Sequence, residues 1–528
     1  MKRMIALACC ASLTATGFAM PNIASSTTRH QSAGDRIAPV PPPRPSQREY
    51  CRQPAALPNL GDEAQINQQS KPVRRSGGRA YASVAPPPMP VPAPPSISAD
   101  IAESSDALSV TGSRIARSGA DRSEEARSLP PRPSPPFPGP VPPRPPQPQP
   151  QSGLLTAGEH DDLLNPELYE DYKRKSSLGQ QVQSLPNVDT NRLLTVELRD
   201  RRGRSVPFAE VEVRCSDGNS ITLNTVADGR AVFFPGMDRL SDDVWVRAGG
   251  SDWRAVRLSS DPGAQTVSIT QRTAAPAVRK LDLAVVVDVT GSMSDELSYL
   301  QTELTAIIGA LETRHRGLDV RVAFTFYRDQ GDEFVTRTFD FDGNVNRAQT
   351  RLGQQVANGG GDYPEAMQDA MIRAAQLDWR EDAVKTLLLV ADAPPHNQDV
   401  AATWLAAEHL RSERVHIVPV GASGVADMAE YVMRAMAAVT QSRYTFLTDD
   451  SGIGNPHAPP AIDCYLVTRL DHLLRRVIDS QLSGRRVEPS QSEIVRSVGQ
   501  YDAGRCVLPT DFQSSWIDTG EDNAEKAG

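Results

Sequence analysis

The chain has 528 residues, enough for two or three domains, but only 39% are hydrophobic, so a large part of it has no packed core to build. The formal net charge is −9 and the pI is about 5.5, a balance that excludes nucleic acid as the main partner.

Lys2 and Arg3 open the chain, and a short stretch of apolar and small residues follows from Met4 to Phe18. Gly17 and Ala19 offer small side chains where a signal peptidase reads. Residues 1–19 are therefore expected to be a secretory signal peptide, too short to span a bilayer. Cys9 and Cys10 raise a lipoprotein reading, but too few apolar residues precede them. No later segment approaches the roughly 18 apolar residues of a membrane helix, so no transmembrane segment is expected in the mature protein. Export permits disulfides among Cys51, Cys215, Cys464 and Cys506. Three pairings are possible, and Cys464 with Cys506 is preferred because both lie in the C-terminal region.

Residues 20–160 read as a disordered spacer: 29 of the 44 prolines fall in the first 150 residues. Runs such as Val40-Pro-Pro-Pro-Arg-Pro cannot form helix or ladder hydrogen bonds and favour solvated polyproline II. A ligand for a proline-recognising groove is the sharper alternative. Within the spacer, Ala107-Leu-Ser-Val-Thr-Gly-Ser-Arg-Ile-Ala-Arg117 resembles a segment near the N-terminus of TonB-dependent outer-membrane receptors. No barrel-sized array of strands follows, so the match serves only as a hint of a Gram-negative envelope, with periplasm, cell surface or secretion as the expected location.

From 191 to 273 the texture changes to short runs of period-two alternation: Leu193-Leu-Thr-Val-Glu-Leu, Ala209-Glu-Val-Glu-Val-Arg, Ser220-Ile-Thr-Leu-Asn, Arg230-Ala-Val-Phe-Phe and Val244-Trp-Val-Arg-Ala. Turn signals such as Asp217-Gly-Asn separate them, which predicts a separate all-β sandwich. Its turn pattern resembles bacterial immunoglobulin-like and carboxypeptidase-regulatory-like domains, a likeness that implies spacing or presentation and no chemistry.

From 280 to 450 apolar strands and amphipathic helices alternate, which predicts an open, doubly wound, Rossmann-like α/β domain. Leu281-Asp-Leu-Ala-Val-Val-Val ends in Asp288-Val-Thr290-Gly-Ser292, and Thr386-Leu-Leu-Leu-Val-Ala ends in Asp392. Ligands of such sheets bind beyond the carboxyl ends of the strands. A carboxylate and two hydroxyls on one tight turn are hard oxygen donors suited to magnesium. Thr290, Ser292 or Ser294 could instead cap a helix, and Asp362 could cap one beginning at Pro364. Glu365 reads as a first-turn helix acid.

Asp288-x-Thr290-Gly-Ser292 resembles the metal-ion-dependent adhesion site of von Willebrand factor A domains, whose second loop gives a threonine and third loop an aspartate. Asp392 matches the aspartate. The second loop, Asn358-Gly-Gly-Gly-Asp362-Tyr-Pro-Glu365, departs from the pattern, with Gly361 where the threonine belongs and Asp362 next to it. The resemblance implies a magnesium ion (or manganese or calcium) held by Asp288, Thr290, Ser292, Asp362 and Asp392, with one position open to an Asp or Glu of a partner protein. Tyr363, Asp329 and His396 are rim candidates by nearness to the loops.

Enzyme signatures fail. Gly359-Gly-Gly lacks the lysine of a P-loop, no Gly-x-Ser-x-Gly elbow occurs, and there is no His-Glu-x-x-His motif. His457, Cys464 and His472 match no zinc spacing. A metal-dependent phosphohydrolase and a metal-free envelope scaffold are the alternatives to a non-enzymatic binding module. Residues 451–528 are expected to form a helical extension carrying the disulfide, with a disordered end from about Gly520.

Overall fold

The computed structural model describes residues 49–63, 149–176, 178, 182 and 184–508. The expected signal peptide, most of the spacer with its Ala107–Arg117 segment, and the chain's last residues lie outside these. In chain order the elements are β1 (Thr156–His160), α1 (Pro166–Lys175), β2 (Arg192–Asp200), β3 (Glu210–Cys215), β4 (Ser220–Asn224), β5 (Arg230–Phe233), β6 (Asp243–Ala248), β7 (Arg254–Arg257) and β8 (Gly263–Gln271). They continue as β9 (Lys280–Asp288), α2 (Leu297–Arg314), β10 (Asp319–Tyr327), β11 (Thr336–Asp342), α3 (Val345–Gly353), α4 (Met367–Ala375), β12 (Val384–Ala391), α5 (Val400–Ser412), β13 (Val415–Gly421), α6 (Asp427–Val439) and β14 (Tyr444–Thr448). Then come β15 (Tyr465–Arg469), α7 (Leu470–Ser483), β16 (Arg496–Val498) and a short antiparallel pair, β17 (Tyr501–Asp502) and β18 (Arg505–Cys506).

The central mixed sheet runs β11-β10-β9-β12-β13-β14-β1-β15-β16. Strands β10, β9, β12, β13 and β14 are parallel. Burial on both faces explains their apolar runs. Along β9, Leu281, Leu283, Val285 and Val287 enter one core with Leu300, Ile307 and Leu473 of the helices on that face. Ala284 and Val286 enter the opposite core with Met371, Leu410 and Met433. Period-two alternation thus feeds two layers of helices. The strand order reverses between β9 and β12, where ligand crevices form in doubly wound sheets.

Two small sheets, β5-β2-β8 and β4-β3-β6-β7, enclose one shared core that includes Leu194, Val196, Val213, Phe233, Val246 and Ile269. The sequence reading sets this part apart as a separate sandwich preceding the α/β part. In the structure it is an insertion between β1 and β9, and it is tied to α5. Arg411 makes a bidentate, buried pair with Asp238 (2.7 and 2.8 Å) and donates to the Val232 carbonyl (3.0 Å).

The expected spacer also changes in two places among the described residues. Residues 156–160, read as spacer, form β1, which pairs antiparallel with β14 on one side and β15 on the other. Residues 49–63 lie along the fold: Cys51 is bonded to Cys215, the Ala55 carbonyl meets His409 of α5, and the Gly61 carbonyl accepts from Arg373 of α4. The second bond joins Cys464 to Cys506. The C-terminal extension is not only helical. Within the expected helical extension, Tyr465-Leu-Val-Thr is a strand because its aromatic and β-branched residues fit the open edge of β1.

The seam around β1 is held by buried ions. Glu159 meets Arg443 (2.7 Å) and Arg476 (3.1 Å). Burial alone would raise its carboxyl, but Arg443, Arg476 and Arg486 outweigh that and hold it down at about 2. Removing one member of such a cluster leaves buried charge unpaired, at a cost of roughly 3–5 kcal/mol. Glu159→Gln is therefore expected to destabilise the protein by that order in urea unfolding at neutral pH. The gap from wild type should narrow as pH falls from the ordinary glutamate value of 4.5 toward about 2, where Glu159 itself takes up a proton.

Candidate metal-binding site

Strand β9 delivers Asp288 to the carboxyl edge of the sheet, where the side chain is 0% exposed. Its Oδ1 accepts from the Thr290 amide (2.9 Å) and the Thr290 hydroxyl (2.7 Å). Thr290 Oγ1 lies 3.1 Å from Ser292 Oγ, so the carboxylate and both hydroxyls share one small region. None of this serves as a helix cap. A 3-10 turn covers Gly291–Asp295, its N-cap Thr290 makes no capping bond, and α2 begins after Glu296 without a side-chain cap.

Strand β12 pairs with β9 in register Val390 to Val287, which brings Asp392 beside this turn at 2% exposure. The Ser292 hydroxyl acts on Asp392 and pulls its carboxyl down. Asp288 Oδ2 and Asp392 Oδ1 are buried without a hydrogen-bond partner from the protein. Burial and the charge of Asp392 push the Asp288 carboxyl up to about 8, against the pull of its Thr290 bonds. Burial raises Asp392 to about 6.

The glycine-rich second loop closes over this turn. The Gly291 amide donates to the Gly359 carbonyl (3.0 Å), and the Asn358 amide to the Val289 carbonyl (3.0 Å). Gly359 and Gly360 both adopt positive φ, +87° and +74°. A Cβ on Gly359 would lie 2.5 Å from the Asp332 carboxylate, and one on Gly360 would lie 2.8 Å from Glu365 Oε1. Two of the three glycines are thus required by backbone shape and close approach. Gly361 faces open space.

Of the five residues named from sequence, Asp288, Thr290, Ser292 and Asp392 come together. Asp362 is exposed on the loop, and it caps no helix, since α4 starts at Met367 without a side-chain cap. The buried carboxylate of this loop is Glu365, 3% exposed, whose amide donates to the Pro394 carbonyl (3.0 Å). Burial and the charges of Asp288, Asp329, Asp392 and Asp332 raise it to about 10. Reading Glu365 as a helix acid missed it. The signal was the bridge to Pro395, a long-range pairing that a sequence does not display.

The rim residues act as ties. The Tyr363 hydroxyl donates to the Gly424 carbonyl (2.7 Å) and accepts from the Ala426 amide (2.8 Å). His396 Nε2 meets Asp329 Oδ1 at 2.7 Å. His457 lies between Glu296 (3.1 Å) and Asp449 (2.8 Å). With Cys464 in a disulfide and His472 beside Glu493, the three residues weighed as zinc ligands are separately engaged.

Among the described residues, no three His, Cys, Asp or Glu side chains form a cluster able to hold a metal by themselves. The donor set here is mixed, with two carboxylates and two hydroxyls. That set, with two orphaned buried oxygens in mutual repulsion, fits a hard divalent cation.

An open α/β sheet with oxygen donors at its switch point defines the class of domain. Residues 282–454 match the family model of the von Willebrand factor A domain, so the chain contains such a domain, a type that commonly mediates protein–protein interaction or adhesion. The chain is 29% identical over 121 residues to the alpha-protein kinase vwkA of Dictyostelium discoideum, covering 22% of this chain and 19% of that protein. It is 32% identical over 131 residues to a putative ariadne-like RING finger protein of Acanthamoeba polyphaga mimivirus, covering 24% and 12%. The chain thus spans less than a fifth of either relative. Among solved structures, the pilus adhesin SpaC of Lactobacillus rhamnosus GG aligns at TM-score 0.29 and 13% identity, covering 46% of this chain and 32% of that one. BatB of Bacteroides thetaiotaomicron aligns at TM-score 0.27 and 10% identity, covering 38% and 98%.

The raised carboxyls give a signed pH dependence. A folded-state value of about 8 for Asp288, against an ordinary 3.8, contributes stability at low pH that is lost as pH rises through about 8. In the presence of a chelator, Asp288→Asn should therefore melt above wild type at pH 8.5, and the difference should shrink by pH 5. Thermal unfolding across that range checks it.

Proposed function

We propose that this chain is an exported, metal-dependent protein-binding module and not an enzyme. The observation that carries the reading is the pair of buried, unpartnered oxygens, Asp288 Oδ2 and Asp392 Oδ1, on adjacent parallel strands. Asp288, Thr290, Ser292 and Asp392 would hold a magnesium ion, or manganese or calcium, with Asp362 contributing directly or through water and Glu365 as a further acid. A bound dication would supply a Lewis-acidic position for an Asp or Glu of a partner protein. The protein's part is to hold the donors in place: Thr290 orients Asp288, and Tyr363 ties the second loop to the segment after β13.

Two disulfides support an oxidising compartment such as the periplasm or the cell surface. Among the described residues no helix is long and apolar enough to cross a membrane. The phosphohydrolase reading lacks basic clamps. The loops around the site, 288–296, 328–335, 354–366, 392–399, 422–427 and 449–457, contain no lysine, and their one arginine, Arg328, is buried and paired with Glu333.

The test is a magnesium and manganese titration of the full chain followed by thermal unfolding. At a hundredfold excess over Kd, a ligand specific for the folded form adds about 2.7 kcal/mol of stability. A cation-dependent rise in Tm that is absent in Asp288→Ala is the expected outcome. No rise in either protein would leave a metal-free scaffold as the better reading.

A further inference from the structure

The loops that surround the candidate metal site are acidic well beyond what one divalent cation neutralises. Asp288 and Asp392, with their orphaned buried oxygens, are the pair that a dication would balance. Around them stand Asp332, Asp362, Asp399, Asp427 and Asp449, all exposed or half-buried. Asp295 acts on Asp392 and Asp427 on Tyr363, while Asp399 itself feels the His396–Asp329 pair. Against them these loops offer no lysine, one buried arginine, and two histidines held by Asp329, Asp449 and Glu296. A partner surface that is itself acidic would meet like charge from these aspartates around the metal, a juxtaposition that costs several kcal/mol at interfaces.

We infer that the partner presents its carboxylate among basic side chains, as an Asp or Glu flanked by Lys or Arg. The inference rests on the metal-face reading above and adds the chemistry of the residues next to the coordinating acid. The carboxylate would go to the cation and the flanking cations to the aspartate rim. Tyr363 adds a second feature of the same sign. The residue is 43% exposed while its hydroxyl is fixed at both ends, so what it exposes is a rigidly held aromatic side chain for a lysine or arginine beside the metal. The rim is open to solvent, so its contribution falls with ionic strength, because charges more than about 8 Å apart are largely screened at 0.15 M salt.

The experiment uses the full chain in saturating magnesium and four fluorescent peptides of equal length. Their cores are Lys-Lys-Asp-Lys-Lys, Ser-Ser-Asp-Ser-Ser, Glu-Glu-Asp-Glu-Glu and Lys-Lys-Asn-Lys-Lys, and binding is read by polarisation at low and high salt. The lysine-flanked aspartate peptide is expected to bind roughly tenfold more tightly than the serine-flanked one, within the range that charge steering supplies. The glutamate-flanked peptide should bind weakest, and the differences should collapse at high salt. In Asp399→Asn/Asp427→Asn the lysine advantage should shrink severalfold, and in Asp427→Lys the glutamate-flanked peptide should recover. Equal binding of lysine- and serine-flanked aspartate peptides overturns this inference and leaves the metal-adhesion reading standing. Equal binding of the Asn and Asp cores, or no binding by any aspartate peptide, overturns both, because the metal would then not be taking a carboxylate.

Discussion

Two carboxylates buried on neighbouring parallel strands form an arrangement that the rest of this edge is organised around. Asp288 and Asp392 repel one another in a region closed to water, and only part of their oxygen inventory is met by Thr290 and Ser292. Without a counterion they are relieved by taking up protons. With a dication bound as proposed, the same repulsion would become the source of affinity. The glycines of the second loop, the Tyr363 ties and the His396–Asp329 contact all hold backbone against this pair, so the loops stay close even though the charges push apart.

The strands that present the pair were the most readable part of the chain. Leu281 to Val287 and Thr386 to Ala391 are buried on both faces, and continuous apolar runs ending in aspartate carry that information locally. The helices from Leu297 onward were legible for the same reason. Their apolar stripes repeat at helical spacing. Four of the five named site residues lie on two short strand-end motifs, which is why a linear reading could bring them together.

What was illegible depends on pairing at long range. β1 is five residues of modest apolarity, Thr-Ala-Gly-Glu-His, beside a proline-rich tract, and nothing local marks it as an interior strand. Its glycine is explained only in place, because a Cβ on Gly158 would lie 2.4 Å from the Phe446 ring. Cys51 likewise sits among polar residues and prolines, and its burial follows from its bond to a strand 164 residues away. Glu365 falls in the same group. Its inward direction is set by the contact with Pro394 and Pro395, on a different loop.

The seating of β1 also has a consequence in time. The Thr156 hydroxyl bonds to the Thr448 carbonyl across 292 residues of sequence, and β15 follows later still. In chain order the segment that takes this interior place in the sheet comes first, and the first of its two neighbours follows only 292 residues later. The two small sheets, formed in between from nearby strands, can close while it waits. Seating β1 is thus the capture of an early strand by late ones, a closure over a long loop of the kind that slows folding. Until then β14 shows an unpaired edge to any passing strand.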